Sequence, residues 1–471
     1  MNSLVAVVIC GGGGVRLWPV SRSGFAKPFV SLPGQSHPLL AQTYARLCDA
    51  PSLAGVITVS SEKDLFLCRE FAAVHAPDVP QLFIGEPHAR NTAPAIMSAA
   101  CWAAKRFGEE SVMLALPADH AVKNVSAFWA AVNGAVHASL TGKIALLGIT
   151  PDYPATGYGY IDAGEEDENG VRPVRRFVEK PDSQRAQEFV DSGFLWNAGV
   201  FGMQVGELFS QAAKFAPELS VIATQTPPAE GDVWLPESEQ YAKFPEISFD
   251  YALAEKTDKA AVCAVNEAGW SDVGSWRAVA DSLSADAEGN YNTADAVLID
   301  SQNCMTVGGH RAIAAVGVSN LYIIDTPDAL LVAADDSGEK TREVVARLRE
   351  QNRSQADTPV TVCRPWGGYT VLSEGEGYKV KRIDVNPGGL LSLQSHRRRD
   401  EYWTAVVGEM TVVLDGREFR LPAGESCHIP VGAKHRMGNN TSAPAAIIEV
   451  QTGDYLEEDD IVRYEDIYGR S

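Results

Sequence analysis

Over roughly the first 280 residues, short apolar runs alternate with longer mixed stretches, the rhythm of a strand–helix–strand chain. The runs Val5–Cys10, Val56–Val59, Val112–Leu116 and Ile144–Ile149 are apolar at every position, as strands covered on both faces are. Between such runs, Ala93–Arg106 and Ala127–Ser139 read as helices. This alternation excludes an all-α or all-β start and predicts an α/β, doubly wound, Rossmann-like domain. From about Asn290 the texture changes. Short β-rich runs at Ala296–Ile299, Ile313–Val316, Leu321–Ile324 and Leu330–Ala333 predict a small β connector. A polar helix is expected over Thr341–Gln351, with Val344, Val345 and Leu348 on one face, then a polar linker over Asn352–Thr358. Beyond it, strand and glycine-turn patterns such as TVVLDG and AAIIEVQTG predict a small all-β barrel. The expected domains are 1–285, 286–355 and 356–471.

With 471 residues the chain can bury more than one core. Its net charge of −21 excludes a general pull on nucleic acid or anionic membrane, so a phosphate substrate must be held by local groups. No run approaches the roughly 20 apolar residues of a membrane span. Leu4–Cys10 is too short for a secretory signal, and no basic residue precedes it. The eight cysteines are scattered without a C-x-x-C pair, so reduced thiols and a cytoplasmic location are expected.

Four glycines, Gly11 to Gly14, follow the first apolar run directly, with Arg16 and Lys27 close behind. A glycine-rich turn after a strand lets backbone N–H groups approach a triphosphate, and the two cations can neutralise it. The pattern fits neither G-x-x-x-x-G-K-[ST] nor G-x-G-x-x-G.

GGGGVRLWPVSRSGFAKPF resembles the signature of mannose-1-phosphate guanylyltransferases, members of the nucleotidyltransferases of GT-A type. Seven further blocks follow in the family's order: GEPHARNTAPA, LPADH, TGYGYI, FVEKP, WNAGVF, SFDYALAEK and GWSDVGSW. The resemblance implies transfer of GMP from GTP to mannose 1-phosphate, with Mg²⁺ held by Asp119 and Asp272. An isolated aspartate at a strand end is more often a cap or turn residue; the matching blocks reverse that expectation. The resemblance further implies that Arg16 and Lys27 meet the triphosphate over Gly11, Gly12 and Gly14, and that Arg90 and Asn91 contact the nucleotide. Lys180 would meet the mannose phosphate and Glu179 the sugar hydroxyls, with Gly159 and Asn197 shaping the pocket. At FAKPF the family usually has a proline before the lysine and a glutamine after it; Lys27 itself is kept.

In the barrel region Gly388 begins G-x5-Gln394-x-His396-x4-Glu401-x6-Gly408, and Gly424 begins G-x5-Pro430-x-Gly432-x2-His435-x3-Asn439. These resemble the two cupin motifs, with glutamine in place of the first histidine. Gln394 and His396 are two apart, hence on one face of a strand, while Glu401 and His435 are expected from adjacent strands. An amide oxygen, two imidazoles and a carboxylate suit Zn²⁺ or another divalent first-row metal. With RPWGGY, YKVKRI, LSLQSHRRRDEYW and DDIVRYEDIYGR, the region resembles the mannose-6-phosphate isomerase half of bifunctional bacterial enzymes. That implies interconversion of mannose 6-phosphate and fructose 6-phosphate, with Arg399 at the phosphate or enediolate. Lys379, Lys381 and Arg463 are further phosphate candidates. The family commonly has histidines where this chain has Arg397, Arg398 and Tyr402. A guanylyltransferase with an inactive or regulatory cupin is the alternative, and another nucleotide or sugar stays open. A homodimer through the connector is expected.

Overall fold

The computed structural model describes residues 3–12, 14–226, 228, 230–334 and 338–468, with only the backbone at Gly338 and Glu339. Gly13 of the glycine run, and Gly469 and Arg470 of the C-terminal motif, lie outside the described residues. Contacts divide the chain into two compact units, Met1–Asp325 with Leu330–Val345, and Thr326–Ala329 with Ala346–Ser471.

The first unit is built on a ten-stranded sheet. Its strands run, edge to edge, Val233–Trp234, Gln81–Glu86, Leu53–Ser61, Leu4–Cys10, Val112–Pro117, Leu195–Gln204, Ile144–Ile149, Ala260–Ala264, Val171–Glu179 and Gly159–Ala163. The first five are mutually parallel, and three of them contain the apolar runs expected as parallel strands; the fourth such run, Ile144–Ile149, lies parallel to Ala260–Ala264. Leu195–Gln204 runs antiparallel to both of its main neighbours and splits the parallel order. The expected helices occupy Thr92–Phe107 and Val125–Leu140. Asn91 and Asn124 cap them through side-chain oxygens that accept from Thr92 N and Ala127 N. The core between helices and sheet gathers Val5, Val7, Ile57, Ile96, Trp102 and Met113.

After residue 290 the chain coils through short strands. Tyr291–Asn292, Met305–Val307 and Leu321–Asp325 pair in parallel, as do Val297–Ile299 and Ala314–Val316. Parallel pairing at successive turns makes a β-helix-like connector. The polar helix spans Gly338–Glu350 and turns Thr341 and Val345 inward.

The second unit is a barrel of two antiparallel sheets. One has six strands: Thr361–Arg364, Gly367–Gly375, Tyr378–Val385, Ala445–Gly453, Arg399–Val407 and Ser426–Ile429. The other has five: Arg417–Pro422, Glu409–Leu414, His435–Gly438, Leu393–His396 and Ile461–Glu465. Register divides the interior into layers. Ile383 opposes Ile447, which opposes Ala405 on its other side, and with Trp366, Met410 and Val412 they form the apolar layer. Two residues along the strands the rows turn polar: Lys381 opposes Glu449, and Gln451 opposes Glu401. Among the described residues, no helix is long and apolar enough to cross a membrane.

Candidate functional sites

The glycine loop leaves the first strand at Cys10. Gly12 and Gly14 lie at φ +100° and +54°, conformations that side chains with a Cβ resist. A Cβ on Gly14 would stand 2.3 Å from Ser21 Oγ and 2.9 Å from Lys27 Cβ, so the loop closes tightly on the segment that carries those two residues. At Gly11 and Gly12 a Cβ would meet nothing within 4 Å. These two face open space, as a surface that receives a ligand must.

Lys27 opens the turn Lys27–Phe29, and its side chain is only 8% exposed. Its ammonium lies 2.7 Å from Asp119 Oδ2 and donates to the carbonyl of Asp272. Asp119 follows the Val112–Pro117 strand. A two-stranded ribbon, Trp270 opposite Val122 and Ser271 opposite Ala121, carries Asp272 to the same place. Asp272 Oδ1 accepts from Tyr158 Oη at 2.8 Å and Gly274 N at 2.9 Å, while Arg16 stands 3.7 Å from Oδ2. Burial would raise the Asp119 carboxyl, but Lys27 and then His120 hold it below its usual range. Asp119 therefore stays ionised beside a cation. Burial drives His120 down to about 4, and its Nδ1 accepts from Trp270 Nε1 at 3.2 Å, which leaves the proton of the neutral ring on Nε2.

A second cluster adjoins through Tyr158, whose carbonyl accepts from Lys180 N at 3.2 Å. Lys180 sits at φ +47° and its ammonium is 2.6 Å from Glu179 Oε1. Gly159 opposes Glu179 in register, and a Cβ there would lie 2.6 Å from Glu179 Oε2, so only glycine leaves that carboxylate its place. Asn197 donates to Asp250 Oδ1 at 2.7 Å and accepts from Gly199 N at 3.0 Å. Burial, followed by the Glu179 charge, lifts Asp250 to about 6.

The structure thus gathers Arg16, Lys27, Asp119 and Asp272, and beside them Gly159, Glu179, Lys180 and Asn197. Arg90 and Asn91 make no hydrogen bond or ion pair with either group. Asn91 spends its side-chain oxygen on the helix cap, and Arg90 Nε is buried without a hydrogen-bond partner. Sequence reasoning missed Tyr158, His120, Trp270 and Asp250. All four stand inside the quoted blocks; their polar atoms gained meaning only from the contacts.

In the barrel, ligand-type atoms of His396, Glu401 and His435 all lie within 4.8 Å of one another, and all three residues are buried. His396 Nε2 is 3.0 Å from Glu401 Oε1, and His435 Nε2 is 3.6 Å from Oε2. Neither Nε2 has a hydrogen-bond partner. His435 Nδ1 donates to the Ala433 carbonyl at 3.0 Å, which turns the Nε2 lone pair inward. Gln394 opposes His435 on the neighbouring strand, and its Oε1 accepts from Ser392 Oγ at 3.0 Å. The expectation of adjacent strands for Glu401 and His435 needs correction. Glu401 belongs to the six-stranded sheet and His435 to the five-stranded one, so they meet across the interior; Gln394 and His435 are the adjacent pair.

Around this cluster Arg399, 2% exposed, places Nη2 3.1 Å from His396 Nδ1 and Nε 3.6 Å from Glu401 Oε1. Trp403 Nε1 donates to Glu401 Oε2 at 3.1 Å and to Glu449 Oε1 at 3.2 Å. Burial would raise Glu401, but His396, His435 and Arg399 hold it well below the carboxylate range. Glu449 goes the other way, to about 8, through burial and then the Glu401 charge. Two of the residues that depart from the family pattern, Arg398 and Tyr402, point elsewhere. Arg398 pairs with Asp454 at 2.7 Å, and Tyr402 is 46% exposed and stacked on His428.

Comparison with known proteins matches three stretches of the chain. Residues 5–289 match the nucleotidyl transferase model, 294–348 the MannoseP isomerase/GMP-like β-helix domain and 351–466 the mannose-6-phosphate isomerase C-terminal model. The mannose-1-phosphate guanylyltransferase ManC of Salmonella typhimurium is 37% identical over 100% of this chain and 99% of its own. The alginate biosynthesis protein AlgA of Pseudomonas syringae pv. tomato is 37% identical over 99% and 97%. A solved structure described as mannose-1-phosphate geranyltransferase from Thermus thermophilus covers 74% of this chain and 99% of its own, with TM-score 0.65 and 30% identity. The glycine loop, the lysine–aspartate cluster behind it and the buried His–Glu–His triad are thus features of a chain that belongs to the nucleotidyl transferase family, in the branch that also carries a mannose-6-phosphate isomerase C-terminal domain.

Proposed function

We propose that this chain makes GDP-mannose from GTP and mannose 1-phosphate, and that its barrel interconverts mannose 6-phosphate and fructose 6-phosphate. The functional segments are then 1–285, 286–355 and 356–471. The observation that carries the first activity is the convergence of Lys27, Arg16, Asp119 and Asp272 behind an open glycine loop. In the transfer a phosphate oxygen of mannose 1-phosphate bonds to the α-phosphorus of GTP, the bond to the β-phosphate breaks, and pyrophosphate leaves. Gly11, Gly12 and Gly14 receive the triphosphate, and Arg16 and Lys27 neutralise it and the leaving group. Arg90 and Asn91 flank the nucleotide. Lys180 holds the sugar phosphate, Glu179 and Asn197 the hydroxyls, and Gly159 leaves the room. Asp119 and Asp272 are carboxylates of the kind a hard cation takes, so they suit Mg²⁺, which supplies charge neutralisation at the phosphates. Asp119 must then share or release Lys27.

The convergence of two buried Nε2 atoms on the Glu401 carboxylate, at 3.0 and 3.6 Å, supports a metal held by His396, Glu401 and His435, with Gln394 beside them. Zn²⁺ or another divalent first-row metal suits this donor set and polarises a carbonyl when bound. Arg399 steadies the negative oxygen that develops as the proton moves between C2 and C1. One observation favours the second reading, a transferase with a silent barrel. Arginine can only donate, so Arg399 on His396 Nδ1 leaves the ring proton on Nε2, the atom a metal would need. A homodimer through the connector is supported by exposed Val297, Ile299 and Val316. A cytoplasmic location, no nucleic-acid or membrane partner, and use of the product in polysaccharide biosynthesis complete the proposal.

The test is an assay pair on the full chain, with chelator and then Mg²⁺, Zn²⁺ or Co²⁺. GTP with mannose 1-phosphate should release pyrophosphate, and mannose 6-phosphate should give fructose 6-phosphate. Pyrophosphate release without isomerisation selects the silent barrel. Turnover only with another nucleotide overturns the first activity.

A further inference from the structure

We propose that the Glu458 carboxylate stands in the phosphate site of the barrel, against Lys381, Arg399 and Arg364, and that the sugar 6-phosphate displaces it. This deepens the isomerase reading and rests on it.

Lys381 lies in the polar layer of the barrel with its side chain only 8% exposed. A buried ammonium is costly unless an anion meets it. Its hydrogen bond goes to Glu458 Oε1 at 3.1 Å. Glu458 comes from the short turn Glu458–Asp460, and its side chain is 53% exposed. The site is therefore a buried cation under an anion that opens to solvent, which is how a phosphate-bearing substrate would reach it.

The segment 454–460 does not need Glu458 to stay in place. Arg398 pairs with Asp454 at 2.7 Å, and Leu456 O accepts from Arg399 Nη1 at 3.3 Å. Tyr455 Oη donates to Asp459 at 2.9 Å, and the Asp460 carboxylate accepts the backbone N–H groups of Arg397 and Arg398. Within this segment Glu458 is the carboxylate that meets Lys381, while Glu449 faces Lys381 from the neighbouring strand and Glu401 faces Arg399 from inside the barrel. Burial works to raise the Glu458 carboxyl, but Lys381, then Arg399 and Arg364, hold it below the usual range. Tyr369 carries two of those cations, with Lys381 Nζ 4.8 Å and Arg364 5.5 Å from its ring centroid. A phosphate, with more charge and three acceptor oxygens, uses such a set of donors better than one carboxylate.

Arg399 links this site to the chemistry, since one guanidinium touches both Leu456 O and His396 Nδ1. The other basic candidates are less suited. Lys379 pairs with Glu374 at 3.2 Å. Arg463 opposes Gln394 on the other sheet, with its Nε buried and unpartnered, and is the competing site.

The test compares Glu458→Gln, Lys381→Met, Lys381→Arg and Arg463→Met in the full chain. In Glu458→Gln, KM for mannose 6-phosphate and the inhibition constant of inorganic phosphate should both fall about threefold, with kcat changed less. In Lys381→Met both should rise about 30-fold, and Lys381→Arg should recover part of the loss. Should Lys381→Met fail to fold, Glu458→Gln on its exposed turn decides alone. An unchanged KM in Glu458→Gln overturns the proposal. So does a collapse of kcat at unchanged KM, which would make Glu458 a proton-transfer group, or a loss of phosphate inhibition confined to Arg463→Met. If the wild type does not isomerise, the isomerase reading fails by itself. Calorimetric binding of fructose 6-phosphate, tightened by Glu458→Gln or not, then decides the site separately.

Discussion

In the α/β unit the groups placed at the phosphates sit where strands stop, whereas Asn197 lies within Leu195–Gln204 and Gly159 begins a strand. Gly11 to Gly14 begin where Leu4–Cys10 ends, Asp119 lies two residues past Pro117, Asp272 follows Ser271 and Lys180 follows Glu179. In the barrel they sit within strands: Gln394 and His396 on one, Glu401 on another, His435 on a third. The first site is held by turns, several in left-handed conformations, and its polar atoms already pair with each other. The second is held by register, and its two key nitrogens face inward onto the one carboxylate of Glu401. A site at strand ends can shift to admit a triphosphate, whereas one on a barrel wall is fixed before any ligand arrives.

The largest test of this contrast is a reciprocal pair. Asp119→Asn should lower pyrophosphate release on the order of 100-fold or more and leave isomerisation intact. His435→Ala should do the reverse, with loss of bound metal by mass spectrometry. A drop in both activities from either change breaks the separation of the sites. Next comes the loop. Gly14→Ala meets Ser21 and Lys27 at once and should cost about 1–3 kcal/mol in the α/β unit. Gly11→Ala meets nothing, so its melting temperature should hold while KM for GTP rises, as titration of GTP against initial rate would show.

A smaller effect concerns protons. Glu449 has a folded value of about 8, above its unfolded value, so the folded barrel holds the proton more tightly. Its contribution favours folding at low pH and is lost as pH rises towards 8. Glu449→Gln should therefore flatten the fall in barrel stability between about pH 5 and 8, read by melting at stepped pH. The smallest is Tyr402→His, which restores the family's histidine on an exposed face. Stability should move by less than about 0.5 kcal/mol and isomerisation should not change. A gain in isomerase rate would place a proton shuttle outside the interior.

Much of this was legible in the chain itself. Apolar runs located the parallel strands because burial on both faces leaves no room for polar alternation. The Gln394–His396 spacing put two side chains on one face because strand geometry has a period of two. The antiparallel Leu195–Gln204 strand was not legible, since a buried run carries no direction. Nor was the meeting of Glu401 and His435 across two sheets, which depends on closure of the barrel.

The sequence by itself determined which residue types were available: glycines where a backbone must turn left, carboxylates and lysines near strand ends, and imidazoles at cupin spacing. Only the tertiary structure decided what each of them meets. Lys27 pairs with Asp119, Tyr158 reaches Asp272 across 114 positions of chain, and Lys381 reaches Glu458 across 77. The physical reason is that charges and lone pairs interact over a few ångströms, and nothing local in the chain records which distant group folding will bring that close.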